Sequence, residues 1–335
     1  MRRHQLAQML IIGAVASVFG VVVALLIDWF PPQATKEAGK IDNLYDVLLI
    51  VSVPFFVLVL VVVLYSVWQF RMKPGEELKD GPPIHGSTKL EIIWTAVPAI
   101  LITGLAIYSY AVLHDIEKAK ANTLEIGVTG QQFTWSFQYK AGGKTVNSPQ
   151  LYLPNDRPVK LNIKAVDVIH SFWVPAFRLK KDAVPGITTD VRFTPDRLGD
   201  YPVVCAELCG IGHATMRQTA HVVTPAAFTD WLRKKQAPPA AAGGGTAGAG
   251  KAVFASAGCA ACHTLADAGA GGTVGPNLDE VLKGKDKAFI NTSIVKPDAE
   301  IAKGFPKGVM PANFGTTLSK DELSALVDYL ADVTK

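Results

Sequence analysis

Four side chains able to bind a metal ion fall within a stretch of twelve residues. They are Cys205, Cys209, His213 and Met216, in a Cys-x3-Cys-x3-His-x2-Met spacing. Thiolate and thioether are soft ligands and imidazole is borderline, so this mixture selects copper over hard cations, which prefer carboxylate and carbonyl oxygens. The spacing therefore predicts a copper-binding loop, with a further ligand supplied by another part of the chain.

Two other uses of these side chains stay open from the residues alone. A structural zinc site could employ two Cys and two His, although zinc sites rarely include Met and usually arrange their ligands as two pairs. A disulfide between Cys205 and Cys209 could form in an oxidising compartment. It would leave His213 and Met216 without a role.

A second motif, Cys259-Ala-Ala-Cys262-His263, has the Cys-x-x-Cys-His pattern of covalent c-type haem attachment. The two thiols would form thioethers with the haem vinyl groups, and His263 would bind the iron on one face. Taken alone, the pentapeptide could also be a redox dithiol or half of a zinc site. The chain has four cysteines and all lie in these two motifs, so none remains for a structural disulfide.

The composition indicates membrane segments and gives no support to nucleic-acid binding. Hydrophobic residues make up 49% of the 335 residues, and the mean hydropathy of +0.24 is high for a soluble protein. The net charge is only +4. There is neither a basic run nor a basic stripe with interleaved aromatic residues.

Three apolar segments are candidates for membrane helices. They run from about Met9 to Leu26, from Val47 to Phe70 and from Ile92 to Leu113. The last two each supply the roughly twenty residues that a membrane helix needs, and they form a hairpin over residues 45–115. The first lies within residues 1–30 and is either an uncleaved anchor or a signal peptide.

Basic residues predict how the hairpin is oriented. Positively charged connections tend to stay in the cytoplasm. The connection over residues 71–90 contains four such residues, whereas residues 31–45 contain only Lys36 and Lys40. The four are Arg71, Lys73, Lys79 and Lys89. The connection should therefore be cytoplasmic, and everything after Leu113 should lie outside.

Residues 120–235 are predicted to form a β-domain. Short strand-forming runs alternate with Pro and Gly, which is typical of a sandwich or barrel. The predicted strands span residues 123–128, 133–139, 159–163, 170–174, 188–193 and 218–223, and a closing helix follows from Pro225 to Lys235. With 15 basic and 9 acidic residues, this region has a charge of +6.

The last part of the chain begins with a linker. Residues 236–250 are rich in Ala, Gly and Pro, and a flexible coil of that length has a root-mean-square reach of roughly 20 Å. Residues 251–335 contain the haem motif and have a charge of −1. Ser319 and Glu322 predict a capping box ahead of a C-terminal helix.

The loop pattern Cys-x-Glu-x-Cys-Gly-x-x-His-x-x-Met resembles the dinuclear CuA loop of cytochrome c oxidase subunit II. The resemblance implies bridging thiolates from Cys205 and Cys209, imidazoles from His170 and His213, the thioether of Met216 and the backbone carbonyl of Glu207. His170 opens the segment His-Ser-Phe-Trp-Val-Pro, where the family has its distant His ligand. The resemblance also implies that the Glu207 side chain binds a magnesium ion shared with subunit I.

Two other segments bear on this resemblance. Glu91-Ile-Ile-Trp-Thr-Ala-Val-Pro98 is similar to a subunit II signature, which implies a proton-uptake role for Glu91. From the residues alone, Glu91 is a solvated residue at the end of a membrane helix. Phe133 stands where the family usually has a Trp that faces the soluble cytochrome. This departure puts electron input through position 133 in doubt.

The haem region resembles class I cytochromes c. The segments that resemble this family are Gly275-Pro-Asn-Leu278 and Met310-Pro-Ala-Asn-Phe314. The resemblance implies that the Pro carbonyl orients His263 and that Met310 is the sixth ligand of the iron. Met310 is the only Met after His263 in the sequence.

The whole chain is thus similar to oxidase subunits II that carry a fused cytochrome c. The implied fold class is a multidomain membrane protein with a transmembrane helical hairpin, an N-terminal apolar helix, a cupredoxin-like β-sandwich and an all-α cytochrome c domain. The implied function is electron transfer from haem c to CuA and on to subunit I, which reduces dioxygen to water. The implied partners are subunits I and III, with a quinol–cytochrome c reductase or a cytochrome c as electron donor. The implied location is a bacterial cell membrane, with both metal domains on the extracytoplasmic side.

Other members of the wider copper and oxidase families are alternatives. The CuA-bearing small subunit of a nitric oxide reductase stays open, because the partner subunit performs the chemistry that distinguishes the two enzymes. Quinol oxidase subunits are disfavoured because they lack the copper ligands. Nitrous oxide reductase is rejected, because it would need a second, histidine-rich copper cluster and three of the seven His are already assigned.

Overall fold

The computed structural model describes residues 3–72, 74–75, 85–236 and 247–335. The chain folds into two compact units. One contains the residues up to Pro31 and Gly39–Ile116, and the other contains Pro32–Ala38 and Glu117–Lys335.

The first unit consists of helices α1 (Arg3–Leu26), α2 (Ala38–Phe70) and α3 (Thr88–Ile116). All three are long and apolar enough to cross a membrane. Helix α2 begins at Ala38 instead of the predicted Val47, because polar residues ahead of the apolar run continue the same helix. Lys73 and Lys79, which helped to predict the orientation, lie outside the described residues.

The second unit begins with a β-sandwich of two five-stranded sheets, here called the sandwich domain (residues 124–236). The first sheet contains β1 (Leu124–Gln131), β2 (Thr134–Ala141), β3 (Lys144–Ser148), β5 (Val159–Ala165) and β8 (Thr189–Phe193); the second contains β4 (Leu151–Pro154), β6 (His170–Val174), β7 (Leu179–Ala183), β9 (Gly199–Cys205) and β10 (Arg217–Val223). The strand orders are β3-β2-β1-β5-β8 and β4-β10-β9-β6-β7. The predicted cupredoxin-like sandwich is confirmed.

Alternation of side chains explains how the two sheets pack. In β5, Val159, Leu161 and Ile163 are buried while the residues between them are more exposed, as expected when one face of a strand covers a core. The inner face of β2 contributes fully buried aromatic rings, including Trp135 and Tyr139. The result is one continuous core beneath the site described below.

Helix α4 (Pro225–Gln236) closes the sandwich domain. The Trp231 ring stacks on Tyr152 with centroids 4.4 Å apart and meets Tyr139 edge-on at 4.9 Å. These aromatic contacts anchor the helix to both sheets. The predicted end at Lys235 agrees to within one residue.

The segment between α1 and α2 packs on the sandwich domain, which the sequence did not predict. The Ala34 amide donates to the Ala176 carbonyl over 3.1 Å. The buried Glu37 carboxylate accepts a 2.7 Å hydrogen bond from the Thr194 amide and forms an ion pair with Lys120. A fragment that starts near residue 120 would therefore lose part of this unit.

The remainder of the second unit is the C-terminal domain (residues 247–335). Its elements are α5 (Ala247–Ser256), a 3-10 turn (Cys259–Ala261), β11 (Thr264–Leu265), β12 (Ala270–Gly271), α6 (Leu278–Val281), α7 (Lys287–Val295), α8 (Phe314–Thr317) and α9 (Lys320–Val333). Its core packs α5 against α9 through residues such as Phe254, Leu326 and Leu330. The predicted capping box is confirmed, since Ser319 and Glu322 bond reciprocally across the first turn of α9.

The linker differs from its predicted bounds. Residues 247–250 belong to α5 and Gln236 is the last residue of α4. Residues 237–246, which make up most of the predicted linker, lie outside the described residues.

Candidate metal and haem sites

The connection from β9 to β10 carries the clustered donors and is here called the ligand loop (residues 205–216). Strand β9 ends at Cys205, and β10, its antiparallel partner, begins at Arg217. On its other side β9 pairs with β6, where Phe172 lies opposite Cys205. The sheet thereby brings His170, the first residue of β6, to a loop that is 35 positions away in sequence.

The predicted donor atoms meet in one cluster. Cys205 Sγ lies 3.9 Å from Cys209 Sγ, 4.0 Å from His170 Nδ1 and 3.2 Å from Glu207 O, while Cys209 Sγ lies 3.6 Å from His213 Nδ1 and 3.8 Å from Met216 Sδ. Each sulfur of the thiol pair therefore has its own imidazole. The sulfurs are far beyond the roughly 2.05 Å of a disulfide. Two thiols, two imidazoles and a thioether are soft or borderline ligands, and their closeness to one another fits a copper site.

The two thiols differ in acidity although they are neighbours. Burial raises the pKa of Cys205, but hydrogen bonds with His170 and with the backbone at Glu207 and Ser171 outweigh it and lower that pKa. In Cys209, burial and then the charge of Cys205 raise the pKa. Because thiolates are the binding form, metal binding at this pair releases protons, and metal affinity should increase with pH.

Asp167 is a functional residue that the sequence analysis missed. Its Oδ1 lies 2.8 Å from His170 Nε2, and its Oδ2 accepts a 2.7 Å hydrogen bond from the Gln132 amide. The Gln132 side chain in turn donates to the Cys209 carbonyl. A carboxylate on the outer nitrogen of a ligating His fixes its tautomer and orientation. The spacing Asp-x-x-His was the available signal.

Phe133 is packed onto the ligand loop and is only 8% exposed. A Cβ atom added at Gly212 would lie 2.4 Å from the Phe133 ring, so only Gly fits beneath it. Trp135, two residues further on, meets the His170 ring edge-on with centroids 5.9 Å apart. Phe133 and Trp135 thus pack against two different parts of the donor cluster.

The haem motif folds into a tight turn that gathers its three reactive side chains. The amides of Cys262 and His263 both donate to the Cys259 carbonyl, over 3.2 and 3.0 Å. His263 Nδ1 lies 2.9 Å from the Pro276 carbonyl, as the resemblance implied. With Nδ1 donating to that carbonyl, Nε2 keeps its lone pair for a metal. Burial also lowers the pKa of His263, which favours the neutral, metal-binding imidazole.

A cavity of about 380 Å³ lies beside this turn, and Met310 is among its lining residues. Cys259, Cys262 and His263 line one wall. Its other lining residues are mainly apolar, and they include Leu278, Ile290, Phe305 and Phe314. An apolar cavity with two thiols, an imidazole and a thioether on its walls fits a covalently attached haem.

The haem cavity is also lined by residues of the sandwich domain. Phe133, Thr215 and Gln218 form part of its boundary. Thr215 Oγ1 lies 3.9 Å from Cys262 Sγ, and Thr215 is the residue directly before Met216. The two candidate sites are therefore in contact.

The two predicted carboxylates outside these clusters are solvent-exposed. Glu91 lies in the first turn of α3, and the Glu207 side chain extends from the ligand loop. Their predicted roles in proton uptake and magnesium binding stay predictions.

Three family models match the chain. They describe the periplasmic domain of cytochrome c oxidase subunit II (residues 143–223), the transmembrane domain of the same subunit (residues 9–112) and cytochrome c (residues 247–334). The transmembrane match includes most of α1 as well as the hairpin.

Individual relatives agree with these matches. Cytochrome c oxidase subunit 2 of Thermostichus vulcanus is 34% identical over 278 residues, which cover 65% of this chain and 84% of that protein. The subunit 2 of Alkalihalophilus pseudofirmus is 31% identical over 315 residues, covering 89% of this chain and 88% of that protein. The crystal structure of the periplasmic domain of cytochrome oxidase subunit II from Bradyrhizobium japonicum matches at 30% identity and a TM-score of 0.33, covering 36% of this chain and 96% of that one.

Proposed function

Since this chain belongs to the cytochrome c oxidase subunit II family, we propose that it passes electrons from a covalent haem c to a dinuclear CuA centre and on to subunit I. Subunit II is part of a haem-copper oxidase, in which the catalytic role lies with subunit I. The copper pair and the haem supply reversible one-electron transfer. The observation that carries the proposal is the contact between two complete donor sets within one folded unit.

The sandwich domain holds the copper donors rigidly. Cys205 and Cys209 would hold the copper ions as thiolates, His170 and His213 would bind them through their imidazoles, and Met216 and the Glu207 carbonyl would be the weaker ligands. All except Cys209 and the Glu207 carbonyl belong to or directly adjoin paired strands or a short 3-10 turn (His213–Thr215). Ligands fixed in this way need to move little when the charge of the site changes, which favours rapid electron transfer.

The C-terminal domain holds the haem and sets its environment. Cys259 and Cys262 would hold the haem covalently through thioethers, and His263 and Met310 would bind its iron. Ligation by His and Met raises the potential of a haem. The apolar cavity wall excludes water, which suits a carrier that exchanges only electrons.

The natural donor delivers electrons to the C-terminal domain in this proposal. Phe133, the position that receives electrons from outside in the family, lines the haem cavity and is only 8% exposed. The sandwich domain is also basic, at +6, and would repel a basic cytochrome. The donor is a cytochrome c or a quinol–cytochrome c reductase, and subunit III completes the complex.

Two exposed carboxylates outside the metal and haem sites have proposed roles at the boundary with subunit I. The exposed Glu207 side chain contributes to a magnesium site shared with subunit I. Glu91, at the start of α3, supports proton uptake into subunit I. A Glu91→Gln variant should slow proton-coupled turnover and leave the copper and haem spectra unchanged.

We further propose that the protein lies in a bacterial cell membrane with both metal domains on the extracytoplasmic side. The distribution of basic residues around the hairpin supports this topology. Protease added to intact spheroplasts should release a fragment cut between residues 236 and 247, where the sequence is rich in Ala, Gly and Pro. Protection of the chain until the cells are lysed would reverse the proposed topology.

A further inference from the structure

The sandwich domain and the C-terminal domain meet through polar contacts as well as through the haem cavity. The Gln150 side chain donates to the Ser256 carbonyl, and Asn147 Nδ2 donates to the Thr316 carbonyl over 2.9 Å. Val309, next to Met310, packs against the sandwich core. These contacts show which face of each domain meets the other.

An ion pair between Lys235 and Glu322 lies at the edge of this face. The two side chains are only 21% and 25% exposed. Ion pairs at the open surface contribute little, whereas removing one partner of a shielded pair leaves the other charge without compensation. This pair therefore depends on the two domains being together.

Both partners of the ion pair belong to rigidly anchored helices. Lys235 lies four residues after Trp231, the residue that stacks α4 onto the sandwich. Glu322 lies four residues before Leu326, which is buried in the core of the C-terminal domain. Positions four apart share one face of a helix. Each charge is therefore held in a fixed place on its own domain.

Helix ends also favour the pair. Lys235 is in the last turn of α4, and Glu322 is in the first turn of α9. A cation at the C-terminal end of a helix and an anion at the N-terminal end each interact favourably with the helix dipole. Burial raises the pKa of Glu322, but Lys235 and the Ser319 cap outweigh it and lower that pKa. The carboxylate is thus ionised at neutral pH.

We propose that Lys235 and Glu322 form an electrostatic latch that orients the C-terminal domain so that Cys262 contacts Thr215 of the ligand loop. A covalent tether raises the local concentration of a domain to the order of millimolar, but it does not by itself select an orientation. The latch selects the orientation. Lys235 and Glu322 are positioning residues, and this proposal rests on the proposed electron transfer from haem to copper.

The test uses the intact chain loaded with copper and haem and compares Lys235→Met, Glu322→Gln and the double variant. Gln can still cap α9, so Glu322→Gln removes the charge and keeps the helix start. After rapid reduction of the haem, the rate of transfer to copper should fall by about fivefold to tenfold in each single variant. The double variant should fall no further, since each change already removes the same interaction. Added salt should slow the unmodified chain more than the variants.

Two exposed neighbours provide matched controls. Lys234→Met and Asp321→Asn remove the same charges one position away in the same helices, and both should transfer electrons at the unmodified rate. Hydrogen exchange of residues 145–150 and 213–218 should increase in the latch variants and not in the controls, with or without bound metal.

Failure of the latch and failure of the proposed function are distinguishable. If the latch variants match the controls in rate and exchange, or if the two single effects add in the double variant, the latch is wrong. If the unmodified chain contains both cofactors but transfers no electrons between them, the proposed function itself is wrong.

Discussion

A chain with Cys205→Ser or Cys209→Ser is expected to lose its dinuclear copper centre completely. Each thiol lies within 4.0 Å of the other thiol and of one imidazole. Removing either thiol therefore removes a ligand from the centre of the donor cluster. Serine is a hard, weakly acidic donor that cannot replace a bridging thiolate. Copper bound per chain and the electron paramagnetic resonance spectrum are the measurements.

Changes elsewhere in the same fold separate loss of ligands from loss of folding. Cys259→Ser should leave the copper content unchanged, because Cys259 lies in the C-terminal domain. The thermal unfolding of the sandwich domain in the metal-free state should be similar in Cys205→Ser and in the unmodified chain. Full copper occupancy in Cys205→Ser would show that the ligand loop is not the copper site.

Ending the chain after Gln236 should nearly abolish turnover of the assembled oxidase with a soluble cytochrome c, with a loss of at least about tenfold. The tether holds the C-terminal domain at roughly millimolar effective concentration, which an external donor at micromolar concentration does not match. In the truncated chain the donor would also have to deliver electrons at Phe133, where the family usually has Trp. The basic sandwich domain would repel a basic donor. Oxygen consumption by the purified complex is the measurement.

The truncated complex should keep its copper, because α4 and the donor cluster are complete before residue 237. Glu322→Gln in the full chain is an intermediate case with an expected smaller loss. If the truncated complex oxidises a basic cytochrome c as fast as the full complex, and added salt slows it, electrons enter the sandwich domain directly.

Local spacing explains why so much of both sites was predictable. Cys205, Cys209, His213 and Met216 lie in one short loop, and the haem motif spans five residues. His170 could be placed only through the resemblance, because its approach to the loop depends on the pairing of β6 with β9. The pattern of apolar and polar residues along a strand does not show which other strand it pairs with.

Four strands of the sandwich domain escaped prediction for physical reasons. Strand β9 contains Pro202, which weakens a strand pattern, and β7 contains the consecutive charges Lys180, Lys181 and Asp182, so it lacks a simple alternation. Strands β3 and β4 have only five and four residues, which is too short for an alternating pattern to be recognised. The other six strands of the sandwich domain were predicted.

Contacts between domains were the least predictable feature. Lys235 and Glu322 are 87 positions apart, and each alone is an ordinary charge at the end of a helix. Thr215 beside Cys262 depends on how two independent cores pack together. Such contacts follow from surface complementarity of folded domains, which short sequence patterns do not contain.

The metal and haem content of the purified full-length chain tests the central claim most directly. Elemental analysis combined with mass spectrometry should find two copper ions and one covalently attached haem per chain, since one donor set has two thiols with an imidazole beside each and the other has a complete attachment motif. Zinc in stoichiometric amount with no copper, or a chain mass without haem, would contradict the account.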